Sequence, residues 1–567
     1  MKRLLPILLC CALLWGCGAK DAKDSAIPTD DIPVTYPAVT QPVYEEIPYT
    51  SRFDTETRIL LSDNGITVDG GGETGAVYCT NDIIYYEDRD VYDSGNPYGE
   101  GTDADKHTAQ EAAAHTVVNI TQPGAYRISG ALSAGQIRID LGSEAYSDKN
   151  AVVELILADA SITCGVAPAI LFLNTYECDG NWSPDTATAQ VDTSAAGANL
   201  ILEGHNTVTG SYVAKIFKDK EGEKKLYKQD GALYSYMSMN VYGPGSLDLT
   251  AENEGLDSEL HLTINGGSIN IRSDNDGINT NEDGVSVTTI NAGTLHIIAG
   301  LGAEGDGIDS NGYLVINGGT VVAAANPAAD AGLDSDLGSY INGGIVAAFG
   351  STMDWAESDS KQVTVNLQFA QQQPSNASLL LAYPDGTPVF AYDPGQDEIL
   401  GENVRQYMGA IVSSPNLQMG QSYELYLSST ITGTETGGIY NIPSVTGFTG
   451  GSQMAYTGTD VGGFRGMGGP RPGNMDGDFP GELPDGMKLP ENFDPNAMPN
   501  RPDGMNPMEK PDWNNGQMPE GMEPPEGMAK PDRMDGNRQT DSNAGDKQTL
   551  FYLTDQVNAF SGITTAN

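Results

Sequence analysis

The chain has 567 residues, of which 39% are hydrophobic, and its 77 acidic residues outnumber 29 basic ones to give a formal net charge of −48. This charge excludes a nucleic-acid-binding surface and a basic patch that docks on anionic lipid, because both need clustered cations. With 69 glycines and four tryptophans, the composition is typical of a turn-rich secreted protein, and the acidic excess suits one that holds hard cations such as Ca²⁺ on oxygen ligands.

The N-terminus predicts a lipoprotein signal peptide over residues 1–16. Lys2 and Arg3 precede an apolar stretch of about a dozen residues, which is too short to span a membrane and suits a secretory signal. Residues 14–17, LWGC, resemble a bacterial lipobox, so we expect cleavage before Cys17 and lipidation of that cysteine. Signal cleavage further along, near Ala19, is the alternative.

Residues 17–54 are rich in Lys, Asp, Pro and Thr and predict an extended tether. The expected location is the extracellular face of a bacterial membrane, with the N-terminal lipid as the membrane contact. If Cys17 is lipidated, Cys79, Cys164 and Cys178 remain as an odd number of thiols. A disulfide between Cys164 and Cys178 is left open.

Self-similarity at a spacing of about 25 residues marks the region from 55 to 350. Four segments align without gaps, at 262–271, 288–297, 314–323 and 339–348. Their Asn residues, 265, 291, 317 and 342, lie 26, 26 and 25 residues apart. A second motif of the type Asp-Gly-Ile lies between the copies, at 254–258, 276–280, 306–310 and 331–335. Residues 73–115 break this rhythm with a polar, Tyr-rich stretch and a short Ala-rich helical piece, and they predict an insertion.

The repeat predicts a parallel β-helix, in which three short strands and three turns form one coil of about 20–26 residues. Equivalent residues of successive coils are then expected to stack in the interior. One column is Ile264, Ile290, Ile316 and Ile341, and another is Ile269, Leu295, Val321 and Val346. The repeated Asn side chains can hydrogen-bond along their own column. A β-sandwich with evenly spaced hairpins is the alternative, although its strands usually lack a recurring identical turn sequence.

The chain changes character after residue 350. Alternating segments separated by turn residues predict a small antiparallel β domain over 351–449. Residues 450–545, rich in Met, Pro, Gly and Asp, have no apolar periodicity and predict a disordered low-complexity loop. The last stretch, 546–567, predicts a C-terminal strand that returns to the β domain.

The repeat region, about half of the chain, resembles the bacterial carbohydrate-binding β-helix family that is structurally related to polysaccharide lyases. The matching elements are Gly124–Asp140, Val152–Thr163, Asn199–Val208 and the two repeated motifs. The resemblance implies an all-β fold with a right-handed parallel β-helix over 55–350, bound calcium, an extracellular location and affinity for plant cell-wall polysaccharides. The sequence departs from that family at the 73–115 insertion and at Ala331, where the aspartate of Asp-Gly-Ile is missing.

The second motif predicts columns of acidic side chains with calcium as the cofactor. Equivalent residues of adjacent coils lie about 4.8 Å apart, where two bare carboxylates repel by roughly 3 kcal/mol at an effective dielectric constant of 20. A Ca²⁺ ion with Ca–O distances of about 2.4 Å fits between them. The predicted ligands are Glu254, Asp257, Asp276, Asn279, Asp306, Asp309, Asp330 and Asp334. The alternative is a set of solvated turn aspartates, since Asp suits turns.

The sequence favours a non-catalytic polysaccharide binder over an enzyme. Lyases on such a scaffold use a Lys or Arg base, and Arg272 is the one basic residue between Gln229 and Ser360. We therefore expect a monomer that binds cell-wall glycans of the cellulose or pectin type, with no nucleic-acid partner and no predicted catalytic residue. The candidate sugar-stacking residues are Tyr85, Tyr86, Tyr92 and Tyr242. A polysaccharide lyase, a glycoside hydrolase and a structural adhesin with a protein partner are the alternatives.

Overall fold

In the computed structural model the chain is nearly all β, with one short α-helix among the described residues. The structure describes residues 36–42, 44–86, 107–181, 183–220, 223–351, 354–396, 406–459 and 546–566, with the backbone alone for 215–220 and 223–227. Contacts divide the chain into two compact units, 1–38 and 39–567. No helix in the described ranges is long and apolar enough to cross a membrane. The predicted signal peptide, Cys17, Tyr92 and residues 460–545 of the predicted loop lie outside the described residues.

Ten strands and the helix lie between residues 56 and 210. They are β1 Glu56–Ser62, β2 Gly65–Val68, β3 Val77–Thr80, α1 Ala109–Ala113, β4 Thr116–Ile120, β5 Gly124–Leu132, β6 Gly135–Asp140, β7 Val153–Cys164, β8 Ile170–Asn174, β9 Ala198–Glu203 and β10 His205–Gly210. The capping box of Thr108 and Glu111 fixes the start of α1.

The next fifteen strands take in the sequence repeat. They are β11 Val213–Lys220, β12 Glu223–Gln229, β13 Gly231–Ser235, β14 Met239–Tyr242, β15 Ser246–Ala251, β16 Glu254–Ser258, β17 Leu262–Ile264, β18 Ser268–Ser273, β19 Ile278–Thr280, β20 Val287–Ile290, β21 Thr294–Ile298, β22 Tyr313–Ile316, β23 Thr320–Ala324, β24 Gly338–Ile341 and β25 Ile345–Gly350. Strands β11 and β12 pair with each other as an antiparallel hairpin.

Twelve further strands follow the repeat. They are β26 Thr364–Gln373, β27 Leu379–Ala382, β28 Pro388–Tyr392, β29 Tyr407–Ser413, β30 Ser422–Leu427, β31 Thr430–Thr432, β32 Glu435–Thr436, β33 Ile439–Tyr440, β34 Gly447–Thr449, β35 Ser452–Ala455, β36 Phe551–Tyr552 and β37 Val557–Thr565. Most of their pairings are antiparallel, for example β27 with β28 and β30. Strand β37 pairs in parallel with β26, which joins the end of the chain to this sheet.

Three parallel ladders contain the strands from β1 to β25 other than β2, β3, β11 and β12, which pair antiparallel. The first ladder runs β1, β5, β7, β9, β14, β17, β20, β22 and β24. The second ladder runs from the C-terminal half of β7 through β10, β15, β18, β21, β23 and β25. The third ladder runs β4, β6, β8, β13, β16 and β19. From β13 to β21 each repeat therefore contributes one strand to each ladder, and we call one such set a coil. In the last two repeats, isolated bridges at Ile308 and Leu333 continue the third ladder in place of a strand.

The apolar columns predicted from the repeat are confirmed. Ile264, Ile290, Ile316 and Ile341 are register partners in the first ladder, and Ile269, Leu295, Val321 and Val346 are register partners in the second. All eight side chains are at most 1% exposed and belong to one continuous hydrophobic core. Burial of each such side chain contributes on the order of 1.5–3 kcal/mol, so the stacked coils stabilise one another.

The predicted asparagine column is confirmed as a chain of side-chain hydrogen bonds. Each Asn donates from its amide nitrogen to the amide oxygen of the Asn one coil earlier, over 2.9, 2.9 and 3.0 Å. The residues are Asn265, Asn291, Asn317 and Asn342. This ladder fixes the turn between the first and second ladders in the same register as the strands.

Part of the predicted 73–115 insertion closes the N-terminal end of the stack. Strand β3 pairs antiparallel with β4, the first strand of the third ladder. The side chains of Tyr86 and Ala112 are buried in the main hydrophobic core. This segment covers an end that would otherwise expose the apolar interior, as the terminal coil of a stack requires.

Residues 39–54 differ from the free tether predicted there, because they lie along the coils. We call this segment the strap. Its contacts are Thr40 N–H to Asn416 Oδ1 (2.8 Å), Gly344 N–H to Tyr44 Oη (2.9 Å), Ile47 N–H to Asn265 O (2.9 Å) and Arg52 N–H to Glu154 Oε1 (2.7 Å). The partners descend in residue number as the strap ascends, so the strap crosses the coils from the last towards the first.

The cysteines that the structure describes are free thiols. Cys164 is buried, and Cys79 and Cys178 are partly buried. The disulfide between Cys164 and Cys178 that the sequence left open is therefore not formed.

Candidate functional site

The acidic residues of the second motif stand in two columns along the third ladder. Backbone N–H groups of Glu254, Gly255, Gly277 and Gly307 donate to the carbonyl oxygens of Asp230, Asp276, Asp306 and Ala331, over 2.9–3.1 Å. Asp257 is the register partner of Asn279, and bridges from Ile278 to Ile308 and on to Leu333 align Asn279 with Asp309 and Asp334. The stacking predicted for these residues is confirmed.

Three carboxylates converge where the coil of β13 meets that of β16. Asp230, Glu254 and Asp257 each offer an oxygen, and these oxygens all lie within 4.8 Å of one another. The three residues are at most 4% exposed. Among the residues that the structure describes, it is the one group of three or more acidic, His or Cys side chains whose ligand atoms all lie within this distance. We call it the carboxylate cluster.

The carboxylate cluster is electrostatically unfavourable without a cation. Burial, then the charge of Asp230, raises the pKa of Glu254 to about 7, despite the nearby Lys228. Burial, then the charges of Glu254 and Asp230, raises the pKa of Asp257 well above its usual value. Lys228 Nζ lies 2.8 Å from Asp230 Oδ2. Three carboxylates and one ammonium leave two negative charges, which one divalent cation would neutralise.

The residues of the carboxylate cluster fit a hard divalent ion. Glu254 Oε2 and Asp257 Oδ2 are buried and have no hydrogen-bond partner, and neither has Oδ1 of the neighbouring Asn279. Buried oxygens without partners are costly, and a Ca²⁺ ion accepts six to eight oxygen ligands at 2.3–2.6 Å. Two oxygens on one such ion lie up to about 5 Å apart, which accommodates the separations observed here.

The remaining predicted ligands are aligned but do not join the carboxylate cluster. Asp276 Oδ1 accepts from the Asp306 N–H at 2.7 Å, and Asp330 Oδ2 accepts from the Gly305 N–H at 2.8 Å. Burial, then the charge of Asp309, raises the pKa of both Asp276 and Asp306. These carboxylates therefore bind backbone N–H groups of the adjacent coil, which is the structural role of turn aspartates.

Sequence reasoning missed Asp230 as a member of the carboxylate cluster. The signal was present, because Asp230-Gly231 repeats the Asp-Gly of the second motif one coil before Glu254. The motif there lacks its Ile, since Ala232 follows the glycine. Counting the Asp-Gly pair alone would have extended the acidic column by one coil.

Residues 114–368 match the family model described as carbohydrate-binding domain-containing protein. The family expected from the sequence is thus confirmed. The segment contains the carboxylate cluster and the strands from β4 to β25.

A solved structure is similar to this chain, and no curated protein matches it. The structure is that of the polysaccharide lyase-like protein from C. thermocellum, as a gadolinium derivative. Its sequence is 19% identical and the TM-score is 0.31, over 51% of this chain and 93% of the other.

The tyrosines predicted to stack on sugars are mostly covered in the matched segment and the residues that flank it. Tyr86 is fully buried, and Tyr242 is 9% exposed with the ring of Tyr49 4.7 Å away. Tyr85 is partly buried against the main core. Neither Tyr86 nor Tyr242 presents a ring face to solvent, because the end of the stack buries the first and the strap covers the second.

Proposed function

We propose that this protein is a lipid-anchored, calcium-stabilised polysaccharide binder of the bacterial cell surface, built on a right-handed parallel β-helix. It recognises plant cell-wall glycans of the cellulose or pectin type without cleaving them. The observation that carries the proposal is the match of residues 114–368 to a carbohydrate-binding domain-containing family. The fold, the cation and the absence of cleavage rest on further observations.

The three parallel ladders support the β-helix. Several coils give one strand to every ladder, as β17, β18 and β19 do within residues 262–280, and isolated bridges at Ile308 and Leu333 extend the third ladder. Interior columns and the asparagine ladder follow the same register. Stacked coils of this kind leave unpaired strand edges only at their two ends. Strand β3 pairs with β4 at the first end, and β29 of the C-terminal sheet pairs with β25 at the last.

The carboxylate cluster supports the calcium proposal. It provides oxygen donors only, it is buried, and two of its oxygens have no other partner. Bound Ca²⁺ would be held by Asp230, Glu254 and Asp257, with Asn279 beside them. Its role would be structural, because the ion would join the coil of β13 to that of β16.

The position of Arg272 supports binding without cleavage. A lyase would need a base beside the cation that neutralises the uronate. Arg272 lies in β18 of the second ladder, whereas the carboxylate cluster belongs to the third ladder. Lys228, the basic residue at the carboxylate cluster, forms an ion pair with Asp230, with 2.8 Å between Lys228 Nζ and Asp230 Oδ2.

A co-sedimentation assay tests this function. Full-length protein is mixed with insoluble cellulose, calcium-gelled pectin or starch, in calcium and in EDTA, and the bound fraction is measured. We expect retention on cellulose or pectin in calcium and little on starch. Ultraviolet absorbance from unsaturated uronides should stay at background. Retention on none of the polymers would overturn the binding proposal, and a rising absorbance would replace it with a lyase.

A further inference from the structure

A polar cleft lies beneath the loop that links β8 of the third ladder to β9 of the first. We call the described part of this loop, residues 175–181 and 183–197, the arch. The cleft has a volume of about 480 Å³ and is lined by the arch together with Lys149 and Val285 from the loops after β6 and β19. Small-ligand sites are clefts of roughly 300–1,000 Å³, so the space suits a short length of an oligomer.

Side-chain hydrogen bonds hold the arch to two successive coils. Glu177 Oε2 accepts from the Ser238 N–H at 2.7 Å, and Thr193 Oγ1 donates to Asn240 Oδ1 at 2.7 Å. Thr193 also lies 2.7 Å from the hydroxyl of Thr263 in the next coil. The cleft is therefore preformed, which lowers the entropy cost of binding.

Asp179 is fixed in orientation at the cleft by a buried histidine. His261 Nδ1 accepts from the Val287 N–H at 3.1 Å, so its Nε2 carries the proton and donates to Asp179 Oδ2 at 3.1 Å. The Asn181 N–H donates to Asp179 Oδ1 at 3.0 Å. Burial acts to raise the pKa of Asp179, but the hydrogen bonds from His261 and Asn181 outweigh it and the pKa is lowered. Asp179 is thus an ionised acceptor in a set position.

We infer that this cleft binds a neutral sugar unit of the polysaccharide, with the half-buried ring of Tyr176 against the apolar face of the sugar. Carboxylate and amide groups of Asp179, Asn181, Gln190 and Asp192 line the same space and offer acceptors and donors for sugar hydroxyls. Hydrogen bonds from Ser194 lower the pKa of Asp192, so it is ionised as well. Two carboxylates against the one ammonium of Lys149 disfavour a uronate, and this inference rests on the proposed polysaccharide binding.

Calorimetric titration of the calcium-loaded full-length protein tests the inference. Cellohexaose is the neutral probe and hexagalacturonate is the charged one. Tyr176→Ala removes the stacking face, and Gln190→Ala removes an exposed amide, whereas Asp185→Asn changes a carboxylate of the arch that does not line the cleft. We expect cellohexaose to bind the wild type and Asp185→Asn equally, with Kd raised about tenfold or more in Tyr176→Ala and about fivefold in Gln190→Ala. Melting temperatures that match the wild type show that the variants fold.

Each outcome decides a separate point. If both cleft variants bind cellohexaose as the wild type does, the cleft is not the site, although the protein remains a polysaccharide binder. Tighter binding of hexagalacturonate than of cellohexaose would overturn the neutral specificity. Failure of the wild type to bind either oligosaccharide, combined with no retention on the insoluble polymers, would instead overturn the proposed function.

Discussion

Chelation of calcium is expected to lower the melting temperature of the full-length protein. Removal of the ion would leave Asp230, Glu254 and Asp257 with oxygens within 4.8 Å of one another in a buried site. At that distance and an effective dielectric constant of 20, each pair of carboxylates repels by about 3 kcal/mol. Lys228 offsets part of this repulsion, and uptake of a proton by Glu254, whose pKa is about 7, relieves more.

The net effect is set by the affinity for the ion. A ligand at 100 times its Kd stabilises the folded state by about 2.7 kcal/mol. Unfolding gains about 2.1 cal/mol/K of entropy per residue. For the roughly 400 described residues, 2.7 kcal/mol therefore corresponds to a shift of the melting temperature of about 3 °C. Tighter binding gives a larger shift in proportion to its logarithm.

Scanning calorimetry with and without EDTA measures this shift, and two isosteric variants separate the carboxylate cluster from general charge. Asp257→Asn removes one charge at the centre, so it should melt higher than the wild type in EDTA and lose most of the response to calcium. Asp385→Asn removes an exposed turn charge far from the cluster in sequence and should respond as the wild type does.

Two results would refute the reasoning. A wild-type melting temperature that EDTA leaves unchanged would show that no ion stabilises the fold. A full calcium response in Asp257→Asn would show that the ion binds elsewhere.

Three further predictions concern the stack. In excess EDTA the free energy of unfolding should fall by on the order of 3 kcal/mol as the pH rises from about 4.5 to about 7. Folding raises the pKa of Glu254 to about 7, so protonated Glu254 stabilises the fold and this contribution is lost as the proton dissociates. Urea denaturation midpoints that do not change over this pH range would contradict the prediction. Asn291→Ala loses two ladder hydrogen bonds and should cost about 2 kcal/mol in urea unfolding. Asn342→Ala loses one ladder bond and a longer bond from the Lys361 N–H at 3.3 Å, so it should cost less. Gly312→Ala would place a Cβ 2.0 Å from a backbone oxygen of the adjacent coil and should lower the melting temperature strongly, whereas Gly165→Ala meets nothing within 4 Å and should not.

The strand register could be predicted from the sequence because residues at equivalent positions of successive repeats are register partners. The four Asn-Gly or Asn-Ala turns lie 26, 26 and 25 residues apart and align the coils that carry them, so the partners of Ile264 and Ile269 follow by counting. Alignment of the copies of the second motif, which lie 22, 30 and 25 residues apart, paired Asp257 with Asn279. It stopped where the motif becomes degenerate, which is why Asp230 was missed. Periodicity also gives no side-chain distances, so it could not show that three of the acidic residues converge while Asp276 and Asp330 bind backbone N–H groups.

Contacts made by non-repeating segments could not be predicted in this way. The arch has no equivalent in other coils, and its bonds join residues 47 to 82 positions apart, as in Thr193 with Asn240 and Asp179 with His261. Nothing in the local sequence of Glu177 or Asp179 distinguishes them from solvated loop acids. Their partners are known only once the coils are stacked.

The strap shows what a local sequence can and cannot indicate about a covered surface. Strands β7 and β9 carry near-continuous apolar runs, Val152–Leu157 and Leu200–Leu202, interrupted in the first by Glu154. Such runs indicate strands that are covered on both faces, yet a stack of coils covers only the inner one. On the outer face Ile156, Ile201 and Tyr242 form a separate buried cluster, against which Tyr49 and Phe53 of the strap pack.

Glu154 completes that argument, because it lies in the same strand as the apolar cluster and is fully buried. Its carboxylate accepts from the Ser51 hydroxyl at 2.6 Å and from the Arg52 N–H at 2.7 Å. A buried carboxylate needs such donors, and here the strap supplies both. A Glu inside an apolar run was therefore the sequence signal that a polar backbone segment, rather than a second sheet, covers this face.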